Sequence, residues 1–128
     1  MFCYVLTMLT NIGIGKFGES VAQRYYERKG FKLFHKNFRF KNYEIDLVFA
    51  DKGRLVFVEV KTRKYSGYEQ KELVSSKKLS SLKTAIYLYL QQNGHNSLEN
   101  WELDLFALDI ENKQKPRLTV LPLLQGFG

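Results

Sequence analysis

Cysteine, proline and long apolar runs are all scarce in this 128-residue chain, and each shortage excludes a class of protein. The single cysteine, Cys3, excludes an internal disulfide and a cysteine-rich zinc site, so we expect a reducing compartment, the cytoplasm. With two prolines and no low-complexity tract, the chain contains no recognisable linker. The apolar opening MFCYVLTML is too short for a bilayer span, which needs about 20 residues, and it lacks the basic region and cleavage site of a signal peptide. We therefore expect no membrane partner. The opening is either a first strand or an extension from an upstream start, in which case the true start is Met8.

Acidic residues are also in the minority. The chain has 13 Asp and Glu against 20 Lys and Arg, a formal net charge of +7. A small basic domain attracts polyanions, of which nucleic acid is the commonest, although charge alone is equally compatible with a protein that is merely basic. The hydrophobic fraction of 45% and the aromatic fraction of 15% exclude a disordered tail and favour one domain with its own core.

Two helices are predicted from the spacing of apolar residues. The first covers residues 15–29, with Gly30 placed to end it. The second begins at Ser75 or Ser76, either of which can cap it, and ends at Asn93-Gly94. Its buried stripe is predicted to contain Leu79, Leu82, Ala85, Ile86 and Leu90.

Strands are predicted on both sides of the second helix. Residues 31–40 form the first strand, with a bend or bulge expected within residues 34–37. Residues 101–110 alternate as a strand, and residues 117–124 suggest a last edge strand that Pro122 interrupts. Loops or turns are predicted at residues 63–71 and 95–100. With the hairpin between the first strand and the second helix, the predicted order is αβββαβ(β), a mixed α/β domain.

The hairpin itself, NYEIDLVFADKGRLVFVEVKTR (residues 42–63), has one apolar face and one mixed face. The apolar face is predicted to carry Ile45, Leu47, Phe49, Val56, Val58 and Val60, and another layer must cover it. On the mixed face, Val48, Leu55 and Phe57 occupy the turn end. This end should be covered as well, which would leave the charged residues at the rim of a recess.

The pairing of the two arms decides which charges meet. A four-residue loop, residues 51–54, would set Asp46 opposite Glu59 on the mixed face, with their Cβ atoms about 5 Å apart. It would also set Glu44 opposite Lys61. A three-residue loop would break this facing unless a bulge restored it.

Two carboxylates at that separation repel each other unless a cation lies between them. A hard divalent ion such as Mg²⁺ or Mn²⁺ takes oxygen ligands of this kind and keeps several waters. Lys61 follows Glu59 by two residues and so shares its face, where an ammonium can polarise a water or stabilise developing negative charge. The alternative is an ordinary charged sheet face, with Glu44 and Lys61 as a cross-strand ion pair.

The chain from Gly15 to about Ile110 resembles the YraN family, a bacterial family placed in the PD-(D/E)XK nuclease superfamily. The matching blocks are GKFGESVA (residues 15–22), NFR (37–39), EIDLV with LVFVEVKTR (44–63), VSSKK through Leu82 (74–82) and ELD (102–104). The hairpin block is the strongest of them. Two positions depart from the pattern: Tyr43 stands where the family usually has Gly, and Ile45 replaces the Pro of the superfamily's name.

This resemblance implies a three-layer, restriction-endonuclease-like α/β core with a mixed sheet and helices on both faces. It implies a single endonuclease-like domain over residues 1–128, with residues 1–12 as an extra N-terminal segment. The metal ligands that it implies are Asp46, Glu59, the main-chain carbonyl of Val60 and Glu19, with Lys61 as the catalytic lysine. Glu19 enters by similarity to the archaeal Holliday-junction resolvases, which are homodimers that cut branched DNA. A homodimer is therefore expected here too.

Basic residues flank the acidic centre, with seven Lys or Arg in residues 24–41 and seven more in residues 61–83. Arg39 and Arg63 could bind phosphate through bidentate contacts, and Lys78 through a point charge, although each alone reads as a solvated surface residue. Without the resemblance, Glu19 would read as an acid in the first helical turn that favours the helix dipole.

Three further features have weaker interpretations. Gly13, Gly15 and Gly18 match G-x-G-x-x-G literally, but a dinucleotide fold needs a parallel βαβ unit, and the elements predicted next are antiparallel. His35 and His95 are expected at the surface. Asp104 is either an acid that supports the metal site or part of an exposed face.

The leading prediction is a Mg²⁺- or Mn²⁺-dependent nuclease that acts on DNA, including branched or recombining DNA. One rival is a nucleic-acid-binding module that keeps a nuclease scaffold without catalysis. The other is a protein-interaction domain whose basic face binds an acidic partner.

Overall fold

The computed structural model describes residues 11–63, 74–94, 100–110 and 115–126. Along these residues the elements are α1 (Asn11–Arg28), β1 (Lys32–Phe40), β2 (Tyr43–Asp51), β3 (Arg54–Arg63), α2 (Ser76–Gln92), β4 (Trp101–Asp109) and β5 (Arg117–Gly126). The predicted order is confirmed, including its last strand. The predictions for residues 1–10, 64–71 and 95–99, with His95, lie outside the described residues. In the part of the chain described, no helix has the length and apolarity to cross a membrane.

The five strands form one mixed sheet in the order β1-β2-β3-β4-β5. Neighbouring strands are antiparallel except β3 and β4, which are parallel because the chain passes through α2 between them. Alternate residues of the hairpin are buried in two different clusters, one beneath each helix. The helices therefore lie on opposite faces of the sheet, and the predicted three-layer α/β core is confirmed.

The α1 layer is built from aromatic contacts. Tyr26 stacks on Phe49 with ring centroids 4.8 Å apart and meets Phe31 at 5.4 Å. The buried members of this cluster are Ile14, Ala22, Tyr26, Leu47, Phe49, Val56, Val58, Phe106, Leu108 and Ile110. The cluster covers most of the hairpin face that was predicted to be entirely apolar.

Ile45 is the exception on that face, because it is buried in the α2 cluster rather than with Leu47 and Phe49. Its partner on β1, Phe38, packs against the same α2 cluster. Asn37, just before Phe38, has a φ of 56°, which breaks the alternation of side chains along β1. The strict alternation predicted for the first arm of the hairpin is therefore wrong at its outer end.

The α2 layer confirms the second predicted helix. Ser75 is the N-cap, its hydroxyl accepts the Lys78 amide at 3.1 Å, and Asn93 is the C-cap. The buried side chains are Leu82, Ala85, Ile86, Tyr89 and Leu90, so Tyr89 was missed and Leu79 is only partly buried. This helix packs on Val48, Leu55 and Phe57, which supplies the predicted cover for the turn end of the mixed face.

The hairpin has the register expected of the four-residue loop. Ala50 pairs with Leu55, and the ladder continues to Asp51 and Arg54, so the turn itself is only two residues, Lys52 and Gly53. Both have positive φ, 50° and 82°, the backbone twist that two-residue hairpin turns favour. The register of a three-residue loop is excluded.

The outer strands carry the predicted irregularities. The pairing of β1 shifts between Leu33 and His35, so the irregularity falls at Phe34, inside the range where a bend or bulge was predicted. The edge strand β5 runs past Pro122 to Gly126, so Pro122 does not end it. The strand is interrupted only by a shift in its pairing with β4, which occurs between Leu103 and Asp104 of β4.

The glycine motif lies inside α1, which begins before the predicted Gly15, and three antiparallel strands follow it. The dinucleotide interpretation is therefore excluded. Gly18 has a packing role instead, because a Cβ at this position would lie 1.8 Å from Thr62 Oγ1 and 3.3 Å from Val60 Cγ1. The helix backbone can approach β3 this closely only because residue 18 has no side chain.

Gly18→Ala is expected to lower the free energy of unfolding by about 1–3 kcal/mol, because α1 must move away from β3. Gly15→Ala in the same helix is the matched control, since its Cβ would meet nothing within 4 Å. That substitution should raise the free energy of unfolding by about 0.5–1 kcal/mol. Urea denaturation of the two variants checks this, and equal effects would contradict the close approach.

Candidate active site between the central hairpin and the second helix

Asp46 and Glu59 lie just beyond the last backbone pair of the hairpin, Leu47 with Val58. Asp46 Oδ2 accepts a hydrogen bond of 2.7 Å from the Val60 amide. A carboxylate thus takes the place of a backbone acceptor where the β2–β3 ladder ends. This contact holds Asp46 against β3, next to Glu59.

The two carboxyls are neighbours and influence each other strongly. Burial, then the hydrogen bond to Asp46 and the charge of Asp46, together raise the pKa of Glu59 to about 8, against the lowering effect of Lys78. The Glu59 side chain is only 13% exposed, so water does little to separate the two groups. The predicted carboxylate pair is therefore present in the fold.

Lys78 joins this pair from α2. Its Nζ lies 3.1 Å from Glu59 Oε2. Burial lowers the pKa of Lys78, but the charge and hydrogen bond of Glu59, followed by the charges of Asp46 and Glu44, outweigh this and leave the pKa raised. The sequence predicted only a phosphate contact for Lys78 and missed the ion pair. The available signal was its position four residues before the buried Leu82, on the inner side of the helix.

An open recess of about 480 Å³ surrounds these groups. Its lining residues are Glu44, Asp46, Glu59, Val60, Lys61, Ser75, Lys78 and Leu105. Lys61 is exposed and enters from β3, two residues beyond Glu59, while Lys78 enters from α2. The recess therefore contains three carboxyls and two ammonium groups, at the rim position that the hairpin pattern predicted.

Glu19 lies near this site but is not among the lining residues of the recess. It is the ninth residue of α1, and the first turn of that helix has no acid, so the helix-dipole interpretation is wrong. Burial raises the pKa of Glu19, followed by the charge of Asp46, while Lys36 and Asn37 oppose the shift. The fold thus brings Glu19 within electrostatic range of Asp46.

The predicted phosphate ligands have different surroundings. Arg39 pairs with Glu44 at 3.2 Å, a cross-strand pair on β1 and β2 that replaces the alternative pairing of Glu44 with Lys61. Arg63 ends β3, is half-buried, and its carbonyl accepts the Ile110 amide. Arg39 therefore contacts a residue that lines the recess, whereas Arg63 is not among the lining residues.

Asp104 belongs to the other layer. It is 7% exposed and accepts a hydrogen bond of 2.8 Å from the Tyr26 hydroxyl of α1, so the exposed-face interpretation is wrong. Burial raises the pKa of Asp104 to about 6, against the lowering effect of the Tyr26 hydrogen bond. His35 is exposed, as predicted. Its Nδ1 also contacts the Tyr89 hydroxyl.

The comparisons with known proteins identify the family of the chain. The model of "Uncharacterised protein family UPF0102" matches residues 18–114. The chain belongs to the UPF0102 family. This is the YraN family that the motifs resembled, and membership of the PD-(D/E)XK superfamily is consistent with it.

Relatives in this family extend the match over most of the chain. A UPF0102 protein of Renibacterium salmoninarum is 37% identical over 94% of this chain and 100% of its own length. One of Colwellia psychrerythraea is 37% identical over 84% of both chains. One of Vibrio vulnificus is 41% identical over 66% of this chain and 70% of its own.

The donor set of this UPF0102 chain fits the divalent metal that the superfamily implies. Among the described residues, no group of three His, Cys, Asp or Glu side chains is close enough to hold a metal ion. Mg²⁺, however, is commonly bound by one or two carboxylates and completed by waters. Two neighbouring carboxyls are groups whose repulsion a cation would relieve. Asp46 and Glu59, with the carbonyl of Val60, meet this requirement.

Without metal, the free energy of unfolding is expected to fall as the pH rises from about 6 to about 8. The pKa of Glu59 is about 8 in the folded chain against an ordinary value of 4.5, so the folded state keeps a proton that the unfolded state has lost. That stabilisation is complete below the unfolded pKa and disappears as the pH passes the folded one. Asp104, whose pKa is raised to about 6, shifts the stability in the same direction but mainly at the lower end of this interval and below it.

Urea denaturation in EDTA across this interval measures the slope. Glu59→Gln should flatten it, because the amide does not titrate. Glu27→Gln, an exposed acid of α1, is the control and should leave the slope unchanged. An unchanged slope in Glu59→Gln would contradict the raised pKa of Glu59.

Proposed function

We propose that this UPF0102 chain is a metal-dependent nuclease that hydrolyses phosphodiester bonds of DNA, including branched or recombining DNA. The observation that carries the proposal is the pair of carboxyls, Asp46 and Glu59, in a recess whose walls bring two ammonium groups to the same space. Membership of a family consistent with the PD-(D/E)XK superfamily supports it.

The metal ligands would be Asp46, Glu59 and the main-chain carbonyl of Val60, with Glu19 completing the acidic environment from α1. A bound Mg²⁺ or Mn²⁺ would supply an activated water and neutralise charge on the phosphate. The Val60 amide keeps Asp46 in place through its 2.7 Å hydrogen bond, so the ligand needs no rearrangement before use. The exposed side of the recess admits a phosphodiester.

Lys61 is the residue that we expect to act directly on the reacting phosphate. Its ammonium enters the recess from the strand that carries Glu59. Negative charge grows on the phosphoryl oxygens during hydrolysis, and a positioned ammonium stabilises it. Lys61 can also hold the attacking water through a hydrogen bond.

The basic residues around the recess would hold the rest of the polyanion. Arg39, which pairs with Glu44 of the recess, and Arg63 at the end of β3 are suited to phosphate contacts, and the formal net charge of +7 favours DNA at long range. On the resemblance to Holliday-junction resolvases we also expect a homodimer, and on the single cysteine a cytoplasmic protein.

Wild type is expected to cut labelled DNA only with Mg²⁺ or Mn²⁺ and not in EDTA. The panel should contain plasmid, single-stranded, flap and four-way-junction DNA, so that the preferred substrate is identified in the same experiment. Asp46→Asn and Glu59→Gln should each lower the rate by at least about 10³-fold, because each removes a charged ligand.

The acid Glu27 supplies the matched control for this assay, since Glu27→Gln changes an exposed carboxyl of α1 away from the recess. Its rate should equal that of wild type. Circular dichroism and DNA affinity in EDTA separate loss of chemistry from loss of fold. Cleavage at equal rates by wild type, Asp46→Asn and Glu59→Gln would refute the nuclease proposal.

A non-catalytic nucleic-acid-binding module is the second candidate. The observation that favours it is the contact of Lys78 Nζ with Glu59 Oε2 at 3.1 Å, which already occupies one of the two main ligands. Divalent-ion binding discriminates between the two functions. A nuclease requires binding that Asp46→Asn abolishes, whereas DNA binding without metal binding or cutting across the panel would favour the module.

A further inference from the structure

We propose that Lys78 is a tethered counter-ion that holds the place of the metal beside Glu59 and turns to a substrate phosphate when a divalent ion binds. This inference rests on the proposed nuclease function, because it assigns a role to a residue of the same recess. It makes Lys78 a positioning residue that couples the binding of metal to the binding of DNA.

The first step in the argument is the contact itself. Lys78 Nζ is 3.1 Å from Glu59 Oε2, and the Glu59 side chain is 13% exposed. A divalent ion that takes Glu59 as a ligand would need the same carboxylate and would meet an ammonium at close range. Two cations in one partly buried site repel each other strongly. Metal and Lys78 should therefore compete for Glu59.

The second step is that the fold fixes the backbone of Lys78 while leaving its side chain able to move. Ser75 caps the helix through the Lys78 amide, and Leu82, one turn later, is buried in the core. The Lys78 side chain is 42% exposed and carries its charge on a flexible four-carbon stem. Displacement from Glu59 thus requires rotation of one side chain and no movement of the helix.

The third step concerns where a displaced ammonium would be. Lys78 lines the same recess as Lys61, so its ammonium would remain in the space that a phosphodiester must enter. A phosphate that binds Lys78 would also keep it away from Glu59. Because linkage is reciprocal, DNA should then tighten metal binding by the same factor by which metal tightens DNA binding.

Lys78→Met tests the competition, because it removes the charge while retaining a flexible side chain of similar length. Mn²⁺ should be titrated by calorimetry into wild type and Lys78→Met without DNA. The variant is expected to bind Mn²⁺ more tightly by on the order of tenfold, the factor that corresponds to about 1.4 kcal/mol. Lys78→Arg, which keeps the charge, should bind Mn²⁺ like wild type.

Two control variants separate direct competition from general charge effects. Lys77→Met removes an exposed lysine that is adjacent in α2 and does not line the recess, so Mn²⁺ affinity should not change. Lys61→Met removes the other ammonium of the recess and should tighten Mn²⁺ binding less than Lys78→Met does. Equal tightening by Lys61→Met and Lys78→Met would overturn the competition at Glu59.

The same titration with a short DNA duplex present tests the release towards phosphate. DNA should tighten Mn²⁺ binding to wild type several-fold and change it much less in Lys78→Met. An equal gain in both proteins would overturn the coupling.

The outcomes also separate this inference from the nuclease proposal. Mn²⁺ binding to wild type with no gain in Lys78→Met would overturn the inference alone, whatever the cleavage assay gives. Failure of wild type to bind Mn²⁺ would overturn both. Thermal unfolding of Lys78→Met in EDTA and in Mn²⁺ provides an independent readout, since loss of the counter-ion should lower its melting temperature only in EDTA.

Discussion

The hydrogen bond from the Val60 amide to the Asp46 carboxylate is the contact on which the candidate site depends. It lies where backbone pairing between β2 and β3 ends, so a side chain continues the connection that the ladder no longer makes. As a result Asp46 cannot turn away from Glu59, although the two carboxyls repel when both are charged. The apolar packing of β2 and β3 offsets this repulsion. Both strands are buried in the α1 cluster or in the α2 cluster along most of their length.

Each helix brings one charged side chain to this end of the hairpin. The buried stripe of α2 fixes Lys78 against Glu59. Gly18 lets α1 approach β3 closely, and Glu19 follows directly, within range of the Asp46 charge. The three layers of the fold therefore do two things. They bury the sheet, and they bring together residues of both helices and of the strands between them that could bind metal and phosphate.

The opposite end of the hairpin uses charge differently. Arg54 binds Asp51 and Glu102, and its guanidinium lies 5.8 Å from the Phe31 ring centroid. Asp104 is buried against the Tyr26 hydroxyl on the same α1 side. In these contacts opposite charges or a hydroxyl meet each carboxyl, whereas the recess at the other end brings three carboxyls and two ammonium groups into one space. This difference marks one end of the sheet as structural and the other as the candidate site.

Local chemistry in the sequence determined much of this architecture. Lys52-Gly53 fixed the turn and hence the register that sets Asp46 beside Glu59, and Ser75 and Gly94 bounded α2, because turns and caps depend on residues next to each other in the chain. Only the tertiary structure decided the side to which Ile45 turns, the burial of Asp104 and the approach of Glu19. It also decided the ion pair of Lys78 with Glu59, two residues 19 positions apart in the sequence. These outcomes depend on how layers pack across the sheet. The spacing of residues along one strand or helix indicates which side chains face inward, but it does not specify which residue of the neighbouring layer they will meet.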